Sequence, residues 1–183
     1  NPGPSTTKAK VKCAQLVPDI CPREKDFCLL LNSIKNDITM LAHGNGLYET
    51  VLFAGSGTAI IDSLINSVVP PHKKILIINN GAYGKRMDDI ARAYSIQNCI
   101  YECGWDTRPD PGVVQEYLEK HEDIAVVAVV HHETTSGLLN PVKEIGKIVK
   151  SFGKTYIADA ISSFAGIHLN IQEFNIDFLA STS

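Results

Sequence analysis

The feature that most constrains this chain is a set of short, unbroken apolar runs, each ending on polar residues. Ile124–Val130 reads IAVVAVV, and Lys74–Ile78 and Thr155–Ala158 repeat the pattern. Runs of β-formers without polar alternation belong to strands covered on both faces, which means a parallel sheet between layers of helix. The longest run is far too short to cross a bilayer.

The segments between these runs carry helical spacing. Phe27, Leu30, Leu31, Ile34, Ile38 and Leu41 predict an amphipathic helix over Glu24–Leu41. Tyr48–Phe53 reads as a strand that Gly55-Ser56-Gly57-Thr58 turns into a helix carrying Ile60, Ile61, Leu64 and Ile65. Lys74–Ile78 is then a strand, Asn79–Gly84 a loop, Lys85–Tyr94 a helix and Gln97–Tyr101 a short strand. A loop with Pro109 and Pro111 leads to a helix over Gly112–Lys120. After Ile124–Val130 come a polar loop, His131–Pro141, a helix over Val142–Phe152, the strand ending at Asp159, and a last strand over Asp177–Ala180. The opening residues, NPGPSTT, are fixed in an extended form by proline. Strand and helix alternate, with connections too long for hairpins. The expected fold is therefore α/β: three layers, α/β/α, around a mostly parallel sheet.

With 183 residues, 44% hydrophobic and 20% charged, the chain suits one domain spanning residues 1–183. A net charge of −3 with scattered basic residues gives no reason for a nucleic-acid or membrane partner. The five cysteines (Cys13, Cys21, Cys28, Cys99, Cys103) fit no zinc spacing, so reduced thiols in the cytoplasm and no metal are expected. The chain starts at Asn1 in mid-turn and stops at Ala-Ser-Thr-Ser as a strand reaches its end, which reads as a fragment of a longer protein.

Function is sought at the strand ends, because open α/β sheets bind ligands beyond the carboxyl ends of their strands. Asp159 sits there, as a ligand group or as a cap for the following turn. Gly55-Ser56-Gly57-Thr58 precedes a helix, where free N–H groups hold an anion such as phosphate; an ordinary glycine-rich turn is the alternative. It is neither a P-loop nor a dinucleotide fingerprint, since no Gly-Lys-Ser/Thr follows and Ile60 replaces the third glycine. Tyr83, in a glycine-flanked loop, is placed to stack on a planar ligand or to pack. His131 and His132 are adjacent, so on an extended segment they point opposite ways and do not share a metal. Hydroxyl donation from Thr134 or Thr135 suits that loop better, with one histidine covering a ligand face and the other held structurally. An anion cradle, an aromatic plate, a hydroxyl and a carboxylate together suit a phosphorylated, planar, cationic heteroaromatic. Pyridoxal 5′-phosphate is one, and its chemistry needs a carboxylate near the pyridine nitrogen.

Four ordered stretches carry a family resemblance: GSGTA at Gly55–Ala59, NNGAYGKR at Asn79–Arg86, HHETTSGLLNP at His131–Pro141 and GKTYIADAISSFAGI at Gly153–Ile167. With them the chain resembles the class V, fold-type-I aminotransferases. GAYG with ETT-S-GLLNP resembles the branch that uses 2-aminoethylphosphonate and pyruvate. The resemblance implies that Ser56, Gly57 and Thr58 hold the cofactor phosphate, Tyr83 stacks on its ring, Thr134 bonds its 3′ oxygen and Asp159 pairs with its ring nitrogen. It implies a homodimer that converts 2-aminoethylphosphonate and pyruvate to phosphonoacetaldehyde and alanine. The family's cofactor-anchoring lysine follows a Ser-rich strand like Ala180–Ser183, and no lysine of this chain stands in that place. The 183-residue polypeptide alone is therefore expected to be inactive, with the lysine and the small C-terminal domain beyond it. A class V enzyme with a carboxylate donor, a non-catalytic relative and a nucleotide-binding domain are the alternative readings.

Overall fold

The β-branched run that dominates the sequence becomes the central strand of a parallel sheet, because a strand covered by helices on both sides buries nearly all of such a run, Ala125 alone being half-buried. In the computed structural model, which describes residues 7–182, the strands are β1 (Lys74–Asn79), β2 (Asn98–Glu102), β3 (Ile124–Val130), β4 (His132–Glu133), β5 (Leu138–Leu139), β6 (Thr155–Asp159) and β7 (Phe178–Ala180). The helices are α1 (Ala9–Cys13), α2 (Lys25–Leu41), α3 (Gly57–Val68), α4 (Ala82–Ala93), α5 (Pro111–Lys120) and α6 (Val142–Ser151). The expected extended segment falls, through residue 6, outside the described residues.

The chain divides into two compact units, one reaching Leu52 and one spanning Phe53–Thr182. The first holds α1 and α2. Thr39 Oγ1 donates to the Lys35 carbonyl at 2.9 Å and meets Thr50 Oγ1 at 2.7 Å, while Lys35 pairs with Glu49 at 2.6 Å. Residues 48–53 form no strand, contrary to the sequence expectation. They pair with no strand among the described residues, and Val51 is 82% exposed. A β-former pattern without a partner edge leaves its backbone to water.

In the second unit five parallel strands lie in the order β2-β1-β3-β6-β7. Alternation along each strand sends side chains to opposite faces. Ile75, Ile77, Val126, Ala128, Val130 and Ile157 pack with Ile61 and Ile65 of α3 and with Met87, Ile90 and Ala91 of α4. Tyr156, one residue off that register, points to the other face, where its hydroxyl donates to the Val142 carbonyl of α6 at 3.1 Å. Helix α5 packs against α6. The three-layer arrangement is thus complete, and its two windings diverge between β1 and β3, the kind of place where such sheets bind ligands.

Two elements differ from expectation near that end. Helix α4 begins at Ala82, not Lys85, so Tyr83 stands in its first turn rather than in a loop. The expected His131–Pro141 loop contains the small antiparallel hairpin β4–β5.

Candidate active site

The site is built where α3, α4, β6 and β7 present their ends. Ser56 is the N-cap of α3, its hydroxyl accepting the Ala59 N–H at 3.3 Å. The N–H groups of Gly57 and Thr58 belong to the first turn, ahead of the helical ladder, and face outward with the positive end of the helix dipole. Both residues line a cavity of about 200 Å³. A Cβ at Gly57 would come within 2.6 Å of Ile161 Cδ1 and 2.9 Å of Thr182 Cγ2, side-chain atoms of the apolar wall of the same cavity, which would have to shift.

Tyr83 and Arg86 enter the cavity from α4, three residues apart and so on one face of the helix. The Arg86 guanidinium lies 5.0 Å from the centre of the Tyr83 ring and donates to Thr58 Oγ1 at 3.1 Å. The orientation of α4 comes from Glu133 on β4, which is fully buried. Its carboxylate accepts the N–H groups of Tyr83 at 3.2 Å and Gly84 at 3.4 Å, and the Thr135 hydroxyl at 2.6 Å. Thr135 Oγ1 in turn accepts the Ala82 N–H at 3.1 Å. Gly81 permits this approach, since a Cβ there would overlap the Glu133 side chain and stand 2.7 Å from Thr135 Oγ1.

Asp159 closes β6 and lines the floor, 4% exposed. Its Oδ1 accepts the Ile161 N–H at 2.9 Å. Burial pushes its carboxyl up to about 6; the Ile161 N–H opposes this, the charge of Glu133 adds to it and that of Arg86 opposes it. A buried carboxylate held this way gains from a cation placed in the cavity beside it.

The two histidines are held by two serines. His131, buried, meets Ser163 Oγ at 2.9 Å, and burial, with His132 nearby, lowers its pKa to about 4, so it is neutral. Ser162 donates to the His132 carbonyl at 2.6 Å, so its oxygen accepts from His132 Nδ1 at 3.1 Å. That fixes the proton of His132 on Nδ1.

Of the residues singled out in the sequence, Gly57, Thr58, Tyr83 and Asp159 meet at one cavity. Ser56 stands beside it as the helix cap, and Thr134 lies in the β4–β5 turn, outside the lining residues. Arg86 and Glu133 were not singled out. The Arg86 signal was its spacing from Tyr83, visible only once α4 starts at Ala82. No lysine is among the lining residues: Lys85 pairs with Asp88 and Asp89, and Lys154 donates to the Glu122 carbonyl at 3.0 Å.

The donor set suits pyridoxal 5′-phosphate. Gly57 and Thr58 offer an anion cradle, Tyr83 offers a ring, and Asp159 offers a buried carboxylate for a ring cation. Residues 19–183 match the aminotransferase class-V family, and the chain belongs to it. It is 40% identical over 183 residues to the 2-aminoethylphosphonate–pyruvate transaminase of Salmonella typhimurium, covering all of this chain and 50% of that one. Among solved structures, pyridoxamine–pyruvate aminotransferase from Mesorhizobium loti superposes with a TM-score of 0.92 at 26% identity, over 98% of this chain and 45% of the other. Alanine–glyoxylate aminotransferase from Nostoc sp. gives 0.90 at 26% identity, over 98% and 47%. The fold is that of these aminotransferases, and the chain spans about half the length of the relatives it matches.

Proposed function

We propose that the chain is the cofactor-binding part of a pyridoxal 5′-phosphate-dependent aminotransferase that moves the amino group of 2-aminoethylphosphonate to pyruvate, giving phosphonoacetaldehyde and L-alanine. The observation that carries this is the convergence of Gly57, Thr58, Tyr83 and Asp159 on one cavity. The full-chain identity to the Salmonella transaminase supports the choice of donor and acceptor. Residues 1–183 are then part of a single large domain, working as a homodimer in the cytoplasm. Apolar side chains exposed on α2, such as Leu29, Leu30 and Leu41, offer surface for such an assembly.

When bound, the cofactor supplies an aldehyde that takes up the amino group and a ring that withdraws electrons. Gly57 and Thr58 N–H groups, with the Ser56 and Thr58 hydroxyls, hold its phosphate at the positive end of α3. Tyr83 covers the ring and so fixes its plane. Asp159, buried and with its pKa raised to about 6, would hold the proton on the ring nitrogen, its carboxylate favoured in the ionised form by a cation there. Thr134 is assigned the 3′ oxygen on the family resemblance alone. The lysine that anchors the cofactor and moves the substrate proton is assigned to a position outside residues 1–183, because none lines the cavity. The 183-residue chain by itself is expected to show no transamination.

The test is product analysis with the full-length protein and pyridoxal phosphate. Equal amounts of phosphonoacetaldehyde and alanine from 2-aminoethylphosphonate and pyruvate support the reading. Alanine formed only when a carboxylate amino donor replaces the phosphonate would move the enzyme to another class V reaction.

A further inference from the structure

Arg86 is the one cation among the cavity's lining residues, and its contacts give it a definite part. A guanidinium only donates hydrogen bonds. At 3.1 Å from Thr58 Oγ1, Arg86 Nη1 therefore obliges that hydroxyl to accept, leaving its single proton free to point elsewhere. Thr58 lies in the first turn of α3, beside backbone N–H groups with no helical partner, so the free proton has the cradle as its natural target. The guanidinium also lies over the face of the Tyr83 ring, 5.0 Å from its centre, so Arg86 is held by both ring and hydroxyl. Glu133 sets the start of α4 and hence the height at which Arg86 reaches α3.

We propose that Arg86 is a positioning residue that sets Thr58 as a proton donor toward a phosphate dianion, and so selects the phosphorylated form of the cofactor over the unphosphorylated one. This rests on the functional reading given above.

The test compares pyridoxamine 5′-phosphate with pyridoxamine, which differ only in the phosphate and carry no aldehyde to react with a lysine. Dissociation constants are measured for the full-length protein, Arg86→Met, Arg86→Lys, Thr58→Val and the double variant Arg86→Met/Thr58→Val. The expected result for Arg86→Met is at least ~10-fold weaker binding of the phosphorylated ligand, the scale of one charge-assisted hydrogen bond, with less than about a twofold change for pyridoxamine. Arg86→Lys, still a donor, recovers part of the loss. The double variant binds about as weakly as the weaker single variant, since both remove one interaction. Equal weakening of both ligands, or fully additive losses, would overturn the proposal. If the unaltered protein distinguishes the two ligands poorly, the cofactor reading itself fails. Should Arg86→Met not fold, Arg86→Lys and Thr58→Val carry the same comparison.

Discussion

The carboxylate of Glu133 accepts the backbone N–H of Tyr83 at 3.2 Å, across 50 residues of sequence. This contact makes the start of α4 a tertiary event. A side chain from the β4–β5 hairpin takes the place of a local cap, and Tyr83 and Arg86 face the cavity as a result.

Replacing Glu133 by alanine is expected to destabilise the protein by about 3 kcal/mol, because buried donors on Tyr83, Gly84 and Thr135 lose their acceptor. Glu133→Gln keeps the volume and one acceptor oxygen, and is expected to lose roughly half as much. Urea denaturation of the full-length protein measures both. A loss within experimental error for the alanine variant would mean that α4 is set by something other than Glu133.

Gly81→Ala tests the same junction from the other side. The added methyl overlaps the Glu133 side chain, which is packed and bonded and has no free space to move into. A fall in the melting temperature comparable to that of Glu133→Ala is expected. An unchanged melting temperature would show that the hairpin yields at no cost.

Tyr83 works through its ring in the proposed function. Tyr83→Phe is expected to keep cofactor affinity within about twofold, and Tyr83→Ala to weaken it about 10-fold, the worth of one stacked aromatic contact. Equilibrium dialysis against pyridoxamine 5′-phosphate separates the two. Equal losses would assign the role to the hydroxyl instead.

Asp159 has a folded-state pKa of about 6 against an ordinary 3.8. Between those values the folded chain keeps a proton that the unfolded chain has released, so this group lowers stability as pH rises through the interval. Above pH 6 the penalty is fully present, on the order of 3 kcal/mol, and below about pH 4 it vanishes. Asp159→Asn is thus expected to stabilise the cofactor-free protein at pH 7.5, with the advantage fading towards pH 4. His131 runs the opposite way, since its pKa is lowered to about 4 from 6.5 and stability rises with pH across that range. The difference between variant and unaltered protein isolates Asp159. A difference independent of pH would contradict the buried-carboxylate description.

Much of this arrangement was legible before any coordinates. The unbroken run Ile124–Val130 reads as a strand buried on both faces, and Asp159 as the end of another strand; that the two strands pair is seen only in the structure. Gly57 and Thr58 open α3 after a glycine-rich turn, as the apolar helical spacing that follows them indicates. Illegible were the features that depend on distant partners. Gly81-Ala82-Tyr83-Gly84 reads as a loop because its capping carboxylate comes from Glu133. Residues 48–53 read as a strand because their pattern shows β-formers but not whether an edge is there to receive them. Arg86 stayed hidden for the first of these reasons, as its partnership with Tyr83 requires the helix to have begun.

In the proposed function the cavity floored by Asp159 serves amino-group transfer from a phosphonate to pyruvate. The most direct measurement follows the absorption spectrum of the full-length protein loaded with pyridoxal phosphate as 2-aminoethylphosphonate is added without acceptor. The expected result is conversion of the bound cofactor to its amine form, reversed on adding pyruvate, and strongly slowed in Asp159→Asn. A spectrum indifferent to the aminophosphonate, in a protein that nevertheless holds the cofactor, would contradict the claim.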